Sequence, residues 1–218
     1  MKQIPLILYV LVGAVNLLGH GLDIDPMVRF SKPMIVPVLL FLVYFEAKGH
    51  VTLTTMLLVG ALLFSWLGDL ALMQDGDNYF LMGIGAFFVA QLIYCYAFIK
   101  SSFEKPEFRL TPLLPILTFT IFLLVFVTPA VPDALQIPIV IYALTITTMA
   151  CLARLRLGLT SSQSYQWVIT GALLFVTSDA AIAVDKFYRP VPYDDLVIMG
   201  TYIAAQVFIS KGILAHPE

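Results

Sequence analysis

Eight apolar runs, at about residues 4–22, 31–47, 51–73, 78–99, 110–128, 134–154, 165–185 and 194–214, follow one another with almost nothing between them. Each is close to the roughly 20 residues an α-helix needs to cross about 30 Å of hydrocarbon. Within hydrocarbon every backbone N–H and C=O must be satisfied by the protein itself, so runs of this length are expected to be helices. The expected fold is all-α: a polytopic membrane protein, a single bundle of eight transmembrane helices forming one domain over residues 1–218. Composition agrees, because only 12% of residues are charged, against about 25% in an ordinary soluble domain. The longest polar stretch, 100–109, is too short to hold a second domain.

The first run follows Lys2 as a signal peptide would, but Asn16, His20, Asp23 and Asp25 come after it where small residues would mark a cleavage site. It reads as a permanent span. With the N-terminus inside, one side collects Lys2, Lys48, Lys100, Lys105, Arg109, Arg154, Arg156 and Lys211, and the other holds Arg29, Lys32, Lys186 and Arg189. The excess of Lys and Arg on the first side makes both termini cytoplasmic (N-in/C-in). The expected location is a multi-pass position in the bacterial cytoplasmic (inner) membrane. Prolines 33, 37, 112, 115 and 138 fall mostly in the first turns of spans, where a missing N–H is tolerated. A net charge of −2 without a basic cluster argues against a nucleic-acid partner. Cys95 and Cys151 lie inside spans and read as small apolar residues.

Two acidic residues stand out against this background. Asp69 and Asp179 each come late in an apolar run, and each follows the same pentapeptide, Gly-Ala-Leu-Leu-Phe, at 60–64 and 171–175. A carboxylate in a bilayer costs several kcal/mol unless it is paired, solvated or protonated, so a matched pair marks a functional site. The match reads as a weak parallel repeat of spans three and four in spans seven and eight, with both aspartates at similar depth near the outer surface. Ser65 and Trp66 precede Asp69 by one turn, whereas Phe175 and Ile182 flank Asp179. Carboxyls in such unequal settings divide into a proton donor and a base.

Other polar residues recur at helical spacing: Tyr202, Gln206 and Ser210 on span eight, Gln91 and Tyr94 on span four, Asn16 and His20 on span one. Each set serves either as interhelical hydrogen bonding or as cavity lining. Lys32 can snorkel to the interface, bind an anionic headgroup or pair with an aspartate. His20, His50 and His216 are scattered, which speaks against a histidine zinc site, and neither a Gly-x-Ser-x-Gly elbow nor a Gly-rich phosphate loop is present. Hydrolysis here would run on carboxylates and water.

Lys32-Pro33, Phe64-Ser65-x-x-Gly68-Asp69-x-x-Leu72-Met73, Gly171-Ala172-x-x-Phe175-x-x-Ser178-Asp179 and Tyr202-x-x-Ala205-Gln206 together resemble the YhhN-like lysoplasmalogenase family, over essentially the whole chain. The resemblance implies an integral membrane hydrolase that cleaves the vinyl ether bond of lysoplasmalogens to a fatty aldehyde and glycerophospho-ethanolamine or glycerophospho-choline. Its two catalytic aspartates correspond to Asp69 and Asp179. Where that family usually has Ala-His in the fourth span this chain has Ala90-Gln91, so no histidine role carries over.

Vinyl ether hydrolysis needs a proton donor for the β-carbon and a carboxylate that activates water, the division of labour of paired-carboxylate glycosidases. Asp179 is expected to be the acid and Asp69 the base. Lys32, Gln91, Tyr94, Tyr202, Gln206, Asn16, Ser65 and Ser178 are expected on the substrate side. No metal or organic cofactor is expected, and the partners are a lysophospholipid substrate and membrane lipid. The alternative is a proton- or cation-coupled small transporter or lipid carrier using the same aspartates. A third reading, a metal-dependent hydrolase resembling the alkaline ceramidases, lacks its histidine ligands.

Overall fold

A computed structural model describes residues 3–47, 49, 51–102 and 109–215. Lys2, Lys48, His50, Lys105 and His216 lie outside the described residues. The described chain is helical: α1 Ile4–Gly21, α2 Asp25–Ala47, α3 Leu53–Leu72, α4 Asp77–Lys100, α5 Leu114–Val127, α6 Asp133–Leu155, α7 Ser162–Phe187 and α8 Asp194–Leu214. Short 3-10 turns, Thr111–Leu113 and Thr128–Ala130, extend α5 at both ends. All eight segments are long and apolar enough to cross a membrane.

The second helix corrects the sequence boundary. It begins at Asp25 rather than near residue 31, because an acidic residue in the first turn followed by Pro26 starts a helix before the apolar run does. Arg29 and Lys32 therefore sit on the helix, and Pro33 and Pro37 are interior rather than first-turn prolines. Pro37 has no N–H to offer the Pro33 carbonyl four residues back. That carbonyl instead accepts the Trp66 indole N–H at 2.9 Å, so the break in the α2 ladder becomes a tie to α3. Pro138 is likewise interior, six residues into α6.

Sequential helices pack as hairpins, α1 with α2, α3 with α4 and α7 with α8, while α4 also meets α6 and α8 meets α1, α2 and α3. Close approach depends on glycine. A Cβ at Gly171 would lie 2.8 Å from the Ile209 nitrogen and 2.9 Å from the Ala205 oxygen of α8. Leu39, Leu58, Leu62, Tyr94, Phe98, Phe175 and Ile209 form the buried centre. Helix α5 is peripheral: Ile116, Thr120 and Val127 are its buried residues, and Thr120 is joined to Thr147 of α6 at 2.7 Å. Cys95 and Cys151 are buried and free.

At the end of the bundle that carries both termini, Arg156 is completely buried. Its guanidinium lies 5.4 Å from the Phe98 ring centroid and donates from Nη2 to Ser164 Oγ at 2.8 Å. Ser164 in turn donates to the Gly212 carbonyl at 2.6 Å, satisfying an orphan of the last turn of α8. Burial pulls the Arg156 guanidinium down to about 10.

Candidate active site

Asp69 lies one turn before the end of α3 and is 4% exposed. Its Oδ2 accepts the Tyr202 phenol of α8 at 2.6 Å. The Tyr202 oxygen accepts the Gln206 amide N–H at 3.1 Å, and Gln206 Oε1 accepts the Tyr94 phenol of α4 at 2.7 Å. Residues 202 and 206 are one turn apart on one helix, which is why a single amide can bridge two phenols. Every proton in this chain points toward Asp69, so each bond polarises the next. Ser210 closes the row by donating to the Gln206 carbonyl at 2.7 Å.

Two further residues face the same carboxyl. Lys32 of α2, half-buried, interacts with Asp69 by charge. Of the three roles open to Lys32 in the sequence, the charge interaction with an aspartate is the one that has a partner in the structure. Tyr9 of α1 also lies within electrostatic reach of Asp69 and Tyr94, and its phenol donates to the Ile203 carbonyl at 2.7 Å.

Asp179 of α7 has different surroundings. It is half-buried, and its carboxylate accepts a hydrogen bond from the Tyr142 phenol of α6. Two narrow cavities of about 50 Å³ flank this pair. One is walled by Leu72, Phe80, Ile84, Phe87, Ile182 and Phe187, the other by α5 residues such as Phe119 and Leu123 with Ile146 and Val176. The walls are mostly apolar; Asp179 and Tyr142 are the polar residues common to both, and Thr120 and Thr147 add to the second.

The two carboxyls lie within electrostatic reach of each other. Phe87 joins their surroundings: it lines an Asp179 cavity and packs edge-on against Tyr202, the donor to Asp69, at 6.0 Å between centroids. Gln91, one turn further along α4, is fully buried beside the Tyr142 phenol, yet its amide makes no well-formed hydrogen bond. Ser65 lies beside Tyr94 in the same condition.

Asn16 and Ser178 each make an interhelical hydrogen bond. Asn16 donates to Ser31 Oγ at 3.0 Å and ties α1 to α2. Ser178 donates to the Ile198 carbonyl at 3.0 Å and ties α7 to α8. His20 pairs with Asp195 at 2.9 Å. Among the described residues no group of three His, Cys, Asp or Glu side chains is placed to hold a metal ion.

Tyr142, Tyr9 and Phe87 were not marked in the sequence. For Tyr142 a signal existed: it falls about as far into α6 as Tyr202 does into α8, and a phenol at the depth of a buried carboxyl is a natural donor to it.

Comparison with known proteins gives this arrangement a family. The chain is 34% identical over 181 residues to the lysoplasmalogenase TMEM86B of Rattus norvegicus, covering 83% of this chain and 71% of the relative. It is 37% identical over 163 residues to the Homo sapiens TMEM86B lysoplasmalogenase, covering 75% and 66%. It is 29% identical over 165 residues to a Mycobacterium tuberculosis lysoplasmalogenase, covering 74% and 61%. No solved structure matches. A sequence model of the YhhN family matches residues 27–213, a stretch that holds Lys32, both aspartates and both of their tyrosine donors, and the chain belongs to that family.

Proposed function

We propose that this chain is a lysoplasmalogenase-like membrane hydrolase that cleaves the vinyl ether bond of lysoplasmalogens by paired-aspartate catalysis. The observation that carries the reading is the unlike setting of two interior carboxyls within reach of one another: Asp69 in a hydrogen-bonded chain beside Lys32, Asp179 on apolar cavities with one phenol. The relatives named lysoplasmalogenase support the same class of reaction.

Protonated Asp179 gives its proton to the β-carbon of the alkenyl group, and the C=C electrons take it, leaving an oxocarbenium ion at the carbon attached to oxygen. Anionic Asp69 stabilises that cation and removes a proton from the water that attacks it, forming a hemiacetal. Asp179, now anionic, takes the hemiacetal hydroxyl proton while Asp69 returns its own to the departing glycerol oxygen. The products are a fatty aldehyde and glycerophospho-ethanolamine or glycerophospho-choline, with both carboxyls restored. Lys32 offers the substrate phosphate a point charge, and Gln91, Tyr94, Tyr202 and Gln206 form the polar wall opposite the chain. With both termini cytoplasmic, the site faces the outer leaflet.

The test is aldehyde release from a purified lysoplasmalogen by Asp69→Asn and Asp179→Asn proteins that still fold and insert. Each is expected to lose the activity. Full activity in either variant would end the paired-carboxylate reading.

A further inference from the structure

A lysolipid brings one long chain, and one of the two cavities at Asp179 adjoins a longer cleft that runs the right way to take it. The cavity on the α5 side of Asp179 is bounded in part by Phe119 and Val176. The same two residues begin a second cleft of about 430 Å³ that continues between α5 and α7 to Arg154 and Tyr165, near the end carrying the termini. On α7 its floor is Val176, Leu173, Ile169 and Tyr165, spaced by three or four residues and therefore on one face. Phe119 is 43% and Leu173 44% exposed, so the cleft opens sideways to lipid rather than to water.

Length and ends fix the occupant. From Asp179 back to Tyr165 is 14 residues of α7, about 21 Å at 1.5 Å per residue. One leaflet of acyl chains fills about half of the roughly 30 Å hydrocarbon core, so a chain of membrane length fits within the cleft. The far end is closed by polar groups, with the Arg154 guanidinium 6.0 Å from the Tyr165 ring centroid. A methyl terminus stops there and a headgroup gains nothing by starting there, since Asp179 is a full leaflet away. Helix α5 carries little of the core and packs more on α6, where Thr120 joins Thr147, than on α7.

We propose that the cleft between α5 and α7 holds the alkenyl chain of the substrate, with the vinyl ether at Asp179 and the terminal methyl toward Tyr165, and so measures chain length. This rests on the lysoplasmalogenase reading and adds to it a residue-level account of which chains are accepted.

Ile169 lies about 15 Å from Asp179 along α7, outside the acid–base machinery. Ile169→Trp is expected to lower kcat/KM for an eighteen-carbon alkenyl lysolipid at least about tenfold and to leave a ten-carbon substrate unchanged. Tyr165→Ala, which opens the far end, is expected to move the preferred length upward. Equal loss on both substrates, or no loss on either with Ile169→Trp, overturns the proposal. Binding of saturated lysophosphatidylethanolamines, followed by native mass spectrometry, separates this from the reaction itself. If the wild-type protein cleaves no vinyl ether but binds long chains better than short ones and loses that preference with Ile169→Trp, the activity reading fails and the cleft stands. Binding indifferent to chain length means bilayer lipid occupancy only and overturns the cleft.

Discussion

Gly68→Ala places one methyl group where the two carboxyl environments meet. The added Cβ would lie 2.6 Å from Phe87 Cδ2 and from Cε2, whereas non-bonded carbons sit best at about 3.5–4.0 Å. The ring must retreat by about 1 Å. Replacing glycine by alanine inside a helix gains about 1 kcal/mol, and overpacking costs about 1–3 kcal/mol, so the net loss of stability is at most about 2 kcal/mol. Activity suffers more. Phe87 walls the Asp179 cavity and packs on Tyr202, the donor to Asp69, and a misplacement of about 1 Å at a reacting centre can cost roughly 100-fold. The expected result is a Tm within a few degrees of wild type in detergent but a fall in kcat of ten- to a hundredfold, partly restored by adding Phe87→Leu. Gly60→Ala is the control, because its nearest neighbour, Ile93 Cδ1, is 3.8 Å away, an ordinary contact. It should keep both stability and turnover. Wild-type turnover in Gly68→Ala, or an equal loss in Gly60→Ala, would refute the idea that Phe87 couples the two sites.

Tyr142→Phe removes the phenol that donates to Asp179; a hydrogen bond to a charged group is worth about 1.5–3 kcal/mol, so kcat should fall roughly 10- to 150-fold with KM little changed, and steady-state aldehyde release with an unaltered kcat would remove Tyr142 from the mechanism. Lys32→Met separates two roles for that ammonium. If it binds phosphate, KM for a lysoplasmalogen rises about tenfold while an uncharged alkenyl glycerol is unaffected; a fall in kcat on both substrates would assign Lys32 to Asp69 alone.

Spans were readable from hydropathy because the bilayer leaves a 20-residue apolar run few alternatives, and the aspartates because a carboxyl in such a run must have a reason to be there. Helix ends were less readable where polar residues extend a span, as Asp25 and Pro26 do for α2. Contacts between helices were not readable at all. Tyr142 sits in a stretch, Ile-Val-Ile-Tyr-Ala-Leu, that periodicity reads as apolar, and its hydroxyl matters only because α6 lies against α7. The Trp66 tie to Pro33 depends equally on adjacency, since the free carbonyl follows from Pro37 but its donor comes from another helix. A polar side chain in a span, such as Asn16 or Ser178, needs a partner, and spacing alone does not say whether that partner is a substrate or a neighbouring helix.

The internal repeat bears on the choice between hydrolysis and transport. Alternating access by rocking repeats requires two halves that pack in interchangeable ways. The matched pentapeptides do not: Gly171 is pressed against the α8 backbone, whereas Gly60 has ordinary room and α3 makes its tight contact eight residues later, at Gly68. Nor do the aspartates hold equivalent partners, for the phenol on Asp69 comes from α8 and the phenol on Asp179 from α6, which belongs to neither copy. Exchanging the conformations of the halves would therefore not exchange the environments of the carboxyls. A fixed difference between two carboxyls is what the proposed proton donor and base require, and it favours chemistry at a stationary site over a rocking carrier.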